Sequence, residues 1–112
     1  MKTPIIVNDP GAILVFASKS DVESYIEPID VRVPLVAFDA EGRLLEVHSK
    51  NMGGLQHTKV IEMENIPTHQ DELRELLIAY FMQVNLNLLV KNKLNSCSLA
   101  ELIDISRAFI IK

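Results

Sequence analysis

The stretch Arg43-Leu44-Leu45-Glu46-Val47-His48-Ser49-Lys50-Asn51-Met52-Gly53-Gly54-Leu55-Gln56-His57-Thr58-Lys59-Val60-Ile61-Glu62-Met63 reads as two β-strands folded back on one another. Arg43 to His48 and Gln56 to Met63 are the two strand candidates. Asn51-Met52-Gly53-Gly54 joins them, and the two glycines accept the positive φ that a tight hairpin needs. Charge suggests a register. If paired positions sum to 105, Glu46 faces Lys59 and Arg43 faces Glu62, each pair contributing a few tenths of a kcal/mol. Leu45 then meets Val60 and Val47 meets Thr58 on the core side. A sum of 107 sets Leu45 opposite Glu62, so the expected register is 105.

Upstream, Pro4-Ile5-Ile6-Val7 and Ala12-Ile13-Leu14-Val15-Phe16 are two further β-leaning runs, parted by the turn signal Asp9-Pro10-Gly11. Ser18 or Ser20 offers an N-cap, and Ser20 with Glu23 fits a capping box opening a short helix through Val22, Tyr25 and Ile26. Pro28 stops that helix, because the residue before a proline is pushed out of the α region. Val31 to Val33 with Leu35 to Phe38 reads as another strand, at an edge or bulged by Pro34, and Asp39-Ala40-Glu41-Gly42 as a tight turn. Downstream, Thr68 is the expected cap of a long helix carrying Asp71 and Glu72 in its first turn, where the helix dipole favours anions. Its apolar repeat runs Leu73, Leu76, Leu77, Tyr80, Phe81, Val84, Leu88, with Ile78, Met82, Leu86 and Leu89 on the flanks and Lys91 and Lys93 at its end. Ser98-Leu99-Ala100-Glu101 is a capping box opening a final helix. The order β-α-β-β-β-α-α predicts an α+β domain spanning residues 1–112. Its mainly antiparallel sheet has four to five strands, with the helices packed on one face.

Composition restricts function. At 112 residues the chain suits one domain, and 48% apolar with 23% charged residues is a globular composition. Mean hydropathy is +0.19, which fits either a well-filled core or a small domain that leaves apolar surface for a partner or a second copy. Net charge −4 disfavours nucleic acid, whose phosphates call for Lys and Arg. A single cysteine, Cys97, allows no intrachain disulfide and points to a reducing, cytosolic compartment. Met1 to Asp9 has too short an apolar run for a signal peptide, and Gln83, Asn85 and Asn87 break the run from Leu76 to Met82, so no membrane span is expected.

No phosphate loop, dinucleotide fingerprint, nucleophile elbow or His-Glu-x-x-His segment is present, and Gly53-Gly54 does not open a helix. In the 105 register His48 faces His57, but a metal site needs further ligands that the sequence does not fix, so two solvated histidines and no metal are expected; His69 reads as a surface residue. No cofactor and no enzymatic activity are expected. Charge segregation is the remaining signal. Residues 60–79 hold five acids, Glu62, Glu64, Asp71, Glu72 and Glu75, against Arg74 alone, whereas residues 80–112 are net positive. A solvated face explains this; so does a docking surface for a basic protein partner.

The first half also resembles a known family. Pro4-Ile5-Ile6-Val7-Asn8, Glu27-Pro28-Ile29-Asp30-Val31 and Phe38-Asp39-Ala40-Glu41-Gly42-Arg43-Leu44 are similar to segments of small bacterial immunity proteins encoded beside secreted polymorphic toxins, including those of contact-dependent growth inhibition. The resemblance covers roughly residues 4 to 47. It implies a protein that stays in the producing cell and binds its cognate toxin domain, often a nuclease with a basic groove. The motif residues themselves read as scaffold: a helix stop, a turn and core. Contacts are therefore expected, on charge alone, from Glu62, Glu64, Asp71, Glu72 and Glu75. The alternative reading is a homodimeric regulatory or small-ligand-binding module.

Overall fold

A computed structural model describes residues 1–9, 12–84 and 91–111, with the side chains of 91 and 92 excepted. It contains five strands, β1 (Ile5–Asp9), β2 (Ala12–Phe16), β3 (Leu35–Phe38), β4 (Leu44–Met52) and β5 (Leu55–Glu62). The helices are α1 (Lys19–Tyr25), α2 (Gln70–Gln83), α3 (Lys91–Ser96) and α4 (Leu99–Ser106), with 3-10 turns at Pro28–Asp30 and Arg107–Phe109. The strands form one antiparallel sheet in the order β2-β1-β3-β4-β5, and the α+β class inferred from the sequence is the one observed.

The helices, expected on one face, lie on both. One face of the sheet carries Ile5, Val7, Phe16, Ala37, Leu45, Val47 and Val60, packed with Val22 and Ile26 of the α1 segment and Val31 after the first 3-10 turn. The opposite face carries Ile6, Val15 and Phe38, packed with Leu73, Leu77, Ile78 and Phe81 of α2, Leu94 of α3, and Leu102 and Ile103 of α4. Ile5, Ile6 and Val7 are each 0% exposed. An unbroken apolar run is the signature of a strand covered on both sides, whereas a single cover gives alternation.

The β4–β5 register is 107, not 105: Leu45 pairs with Glu62, Val47 with Val60, His48 with Lys59 and Met52 with Leu55. The turn decides it. Register 107 puts Gly53 and Gly54 at its two central positions, with φ of 61° and 83°. Register 105 would centre the turn on Met52-Gly53, and a non-glycine residue in the left-handed region costs about 1–2 kcal/mol. That exceeds the few tenths offered by each cross-strand ion pair. Because the two registers differ by two residues, Leu45, Val47, Thr58 and Val60 keep the same face in either.

Other expectations shift locally. Val31 to Val33 is not strand; β3 begins after Pro34 and lies in the middle of the sheet, so the proline sits where no ladder donor is needed. Ser18, not Ser20, caps α1 by accepting from the Asp21 N–H, and the Glu23 carboxylate accepts instead from the Val60 N–H at 2.9 Å. The Ser98 and Glu101 capping box forms as the sequence implied. α2 ends at Gln83, and Lys91 and Lys93 belong to the separate helix α3. Pro10, Gly11, Leu86, Leu88 and Leu89 lie outside the described residues. No helix among the described residues is long and apolar enough to cross a membrane.

Both sheet edges are engaged. Ile110 bridges β2 at Val15, and the Ile111 N–H donates to the Val15 carbonyl at 2.8 Å. Along β5, Glu23 takes the Val60 N–H and the Thr58 hydroxyl donates to the Ile26 carbonyl. Such covers keep an edge from pairing indiscriminately.

Candidate protein-docking surface

The acidic residues singled out above lie towards the end of the sheet formed by the β3–β4 turn, the last residue of β5 and the first turn of α2. Glu62 is on the face of its partner Leu45, and Asp71, Glu72 and Glu75 are on the helix that covers the opposite face. Two polar knots, the first buried and the second partly exposed, build this end. In the first, the fully buried Asp39 carboxylate accepts from the backbone N–H groups of Glu41 and Arg43 at 2.9 Å and of Lys2 at 3.2 Å. It also pairs with the Arg43 guanidinium at 2.5 Å. The same guanidinium donates onward to the Asn65 carbonyl, so the turn is tied to the loop before α2. Gly42 completes the turn at φ +84°, and its carbonyl accepts from the His69 N–H at 2.9 Å. A Cβ there would stand 2.7 Å from the Gln70 Cα and 2.8 Å from its nitrogen, so only glycine lets α2 start this close.

The second knot centres on Glu64. Its carboxylate accepts from the Leu44 N–H at 2.8 Å, the Thr68 N–H at 3.1 Å and the Thr68 hydroxyl at 2.5 Å, and lies 2.8 Å from His69 Nδ1. The Thr68 hydroxyl, with these other donors, holds its pKa down at about 2 against the desolvation that opposes it. Thr68 is therefore spent on Glu64, and His69, rather than Thr68, stands at the N-cap position of α2. His69 is half-buried between strand and helix, where a surface residue was expected.

The five predicted acids thus divide. Glu64 turns inward and holds the loop. Glu62, at the end of β5, is 41% exposed and lies 3.6 Å from the Met1 amino group. Asp71, Glu72 and Glu75 project from the outer side of α2, Glu72 61% exposed and 4.0 Å from His69 Nε2. Glu41, which charge counting over residues 60–79 left out, joins them from the β3–β4 turn, exposed and 3.7 Å from Arg43. The sequence signal for it was Gly42 beside it, since a tight turn brings its own residues to the surface at the strand ends.

His48 and His57 do not face each other. His48 pairs with Lys59 across the strands and reaches Glu46 at 2.8 Å, and His57 pairs with Lys50. Among the described residues no group of three or more His, Cys, Asp or Glu side chains could hold a metal ion. Cys97 is half-buried with its thiol 3.2 Å from the Lys93 carbonyl. An open trough of about 630 Å³ lies between the 3-10 turn and the β4–β5 hairpin, lined by Pro28, Ile29, Val31, Ser49 and Gln56 together with Glu27 and Arg32. Polarised surface charge on a stiff frame is what this arrangement supplies chemically: it can steer and hold an oppositely charged macromolecule. No protein-family model matches the chain, and no curated protein or solved structure matches it.

Proposed function

We propose that this chain is an immunity protein that binds a cognate secreted toxin domain in the producing cell and neutralises it by occupying a basic surface, as a nuclease substrate groove would present. The observation that carries the reading is the exposed acidic end. Glu41, Glu62, Asp71, Glu72 and Glu75 stand on three elements locked together by the Asp39 and Glu64 knots. Acids on a backbone fixed in this way lose little loop entropy on binding, and their charge serves partner selection and encounter rate. The resemblance of residues 4 to 47 to immunity proteins supports the same reading, and its most specific segments do scaffold work: Pro28 starts the 3-10 turn, Val31 fills core, Asp39 and Gly42 build the turn beneath α2. The protein acts by stoichiometric binding, without a catalytic step and without a cofactor.

Co-production with the toxin encoded beside it tests this directly: growth is rescued and a complex is recovered. Glu72→Lys with Glu75→Lys slows association by about tenfold at low salt and flattens its salt dependence, while stability moves by less than about 1 kcal/mol. No rescue and no complex with the wild-type chain would sink the proposal.

A further inference from the structure

Four cross-strand pairs of the β4–β5 hairpin, Glu46 with Ile61, His48 with Lys59, Lys50 with His57 and Met52 with Leu55, share one side of the sheet by strand alternation. It is the side that α2 and α4 cover further in, yet none of these residues joins either core cluster. The hairpin runs five residues past the last β3 pair, Leu35 with Val47, so about 17 Å of it projects with this side open. Val36 on β3, Met52 and Leu55 expose apolar surface here, Met52 by 49% and Leu55 by 68%. The charge between them is basic: Lys50 and Lys59 against Glu46, which is engaged with His48.

The chemistry that fits this surface is already in the chain. The outer side of α2 presents Glu72, Glu75, Ala79 and Met82 at helical spacing, all exposed, with Asp71 beside them. That stripe is acidic at its start and apolar at its end. It is about 15 Å long from Glu72 to Met82, against about 20 Å of sheet from Glu46 to Met52. We infer that the open half of this sheet face is covered by α2 of a second copy. A helix on an antiparallel sheet is the layering the molecule uses on the inner half of the same face. Glu72 and Glu75 of one copy meet Lys50 and Lys59 of the other. Ridge and platform lie on the same side of the sheet, so a two-fold axis forms both contacts at once and the assembly closes as a dimer. Glu72 and Glu75 also belong to the toxin-docking surface, but the pairing does not rest on that reading and is measured with no toxin present.

Sedimentation velocity on the full chain, from about 1 to 200 μM, in about 0.05 M and about 0.5 M salt, is the test. A dimer is expected at the upper concentrations in low salt, with its dissociation constant raised about tenfold in high salt. Lys50→Glu with Lys59→Glu gives a monomer, and so does Glu72→Lys with Glu75→Lys. An equimolar mixture of the two variants re-forms a dimer containing one of each, because both contacts again join opposite charges. Circular dichroism checks folding, and Lys50→Ala with Lys59→Ala, a milder change, gives an intermediate weakening if a reversed variant fails to fold. A wild-type chain monomeric throughout, a dimer that survives both reversals, or a mixture that stays monomeric would each overturn the inference.

Discussion

Replacing Gly42 by alanine separates two costs that a glycine in a turn usually confounds. At φ +84° any β-carbon carries the left-handed penalty of about 1–2 kcal/mol, partly offset by about 0.5–1 kcal/mol from the stiffer unfolded chain. The new methyl must also clear the Gln70 backbone, which its Cβ would approach to 2.7–2.8 Å. Backbone cannot rotate away as a side-chain tip can, so the first turn of α2 has to shift and the bond from the His69 N–H to the Gly42 carbonyl weakens. A lost bond of that kind is worth about 0.5–1.5 kcal/mol and strained packing another 1–3, for a total near 3 kcal/mol. Gly54 supplies the control. Its φ is +83°, nearly the same, and nothing lies within 4 Å of its would-be Cβ, so Gly54→Ala carries the conformational cost alone, about 1 kcal/mol. Urea unfolding followed by circular dichroism reads both. At a slope of about 1.5 kcal/mol per molar, the Gly42 variant loses about 2 M in midpoint and the Gly54 variant under 1 M. Equal losses for the two variants would refute the close approach of α2 to the β3–β4 turn.

Further consequences concern the two knots and the cap of α4. The folded pKa of Glu64, about 2, lies below its ordinary 4.5, so the stability it contributes is present above pH 4.5 and is lost as pH falls from there towards 2. Glu64→Gln should flatten that part of a urea-midpoint profile, and an unchanged profile would show that another group carries the acid sensitivity. Asp39→Ala leaves the part-buried Arg43 guanidinium and three backbone N–H groups without their acceptor, and should destabilise by about 3–5 kcal/mol in the same assay; a loss under about 1 kcal/mol would contradict the knot. Ser98→Ala removes the cap of α4 and should cost about 1 kcal/mol, read as a lower midpoint with an unchanged slope.

The α+β class and a mainly antiparallel sheet of four to five strands were legible because β-leaning runs, turn residues and caps agree with one another over most of the chain. The register of β4 and β5 was not, for a reason of magnitudes. Cross-strand charge pairs are easy to see in a sequence but weak, whereas the left-handed backbone a two-residue turn imposes is strong and shows only when each register is asked which residues it places at the turn centre. Met52 fails that test and Gly54 passes it. The two-sided cover of β1 was equally available in Ile5-Ile6-Val7, whose lack of alternation marks burial on both faces.

The candidate surface was legible only in part, because counting charge does not distinguish a carboxylate that faces water from one that the fold consumes. Glu62 and Glu64 stand two residues apart, on one side of the chain by strand parity, and look equivalent in sequence. Yet Glu62 ends a strand with only the Met1 amino group near it, whereas Glu64 is surrounded by four donors. What separates them is supplied from elsewhere. The Leu44 N–H comes from the neighbouring strand, and Thr68 and His69 from the loop that Gly42 draws down onto the turn. Donors brought together by tertiary structure hold Glu64 ionised and in place, so its charge sets the position of α2 and, through it, of Asp71, Glu72 and Glu75. Acid at the surface and acid beneath it are therefore coupled: the ionised Glu64 carboxylate fixes the helix start that aims the other three, and protonating it at low pH would loosen that start.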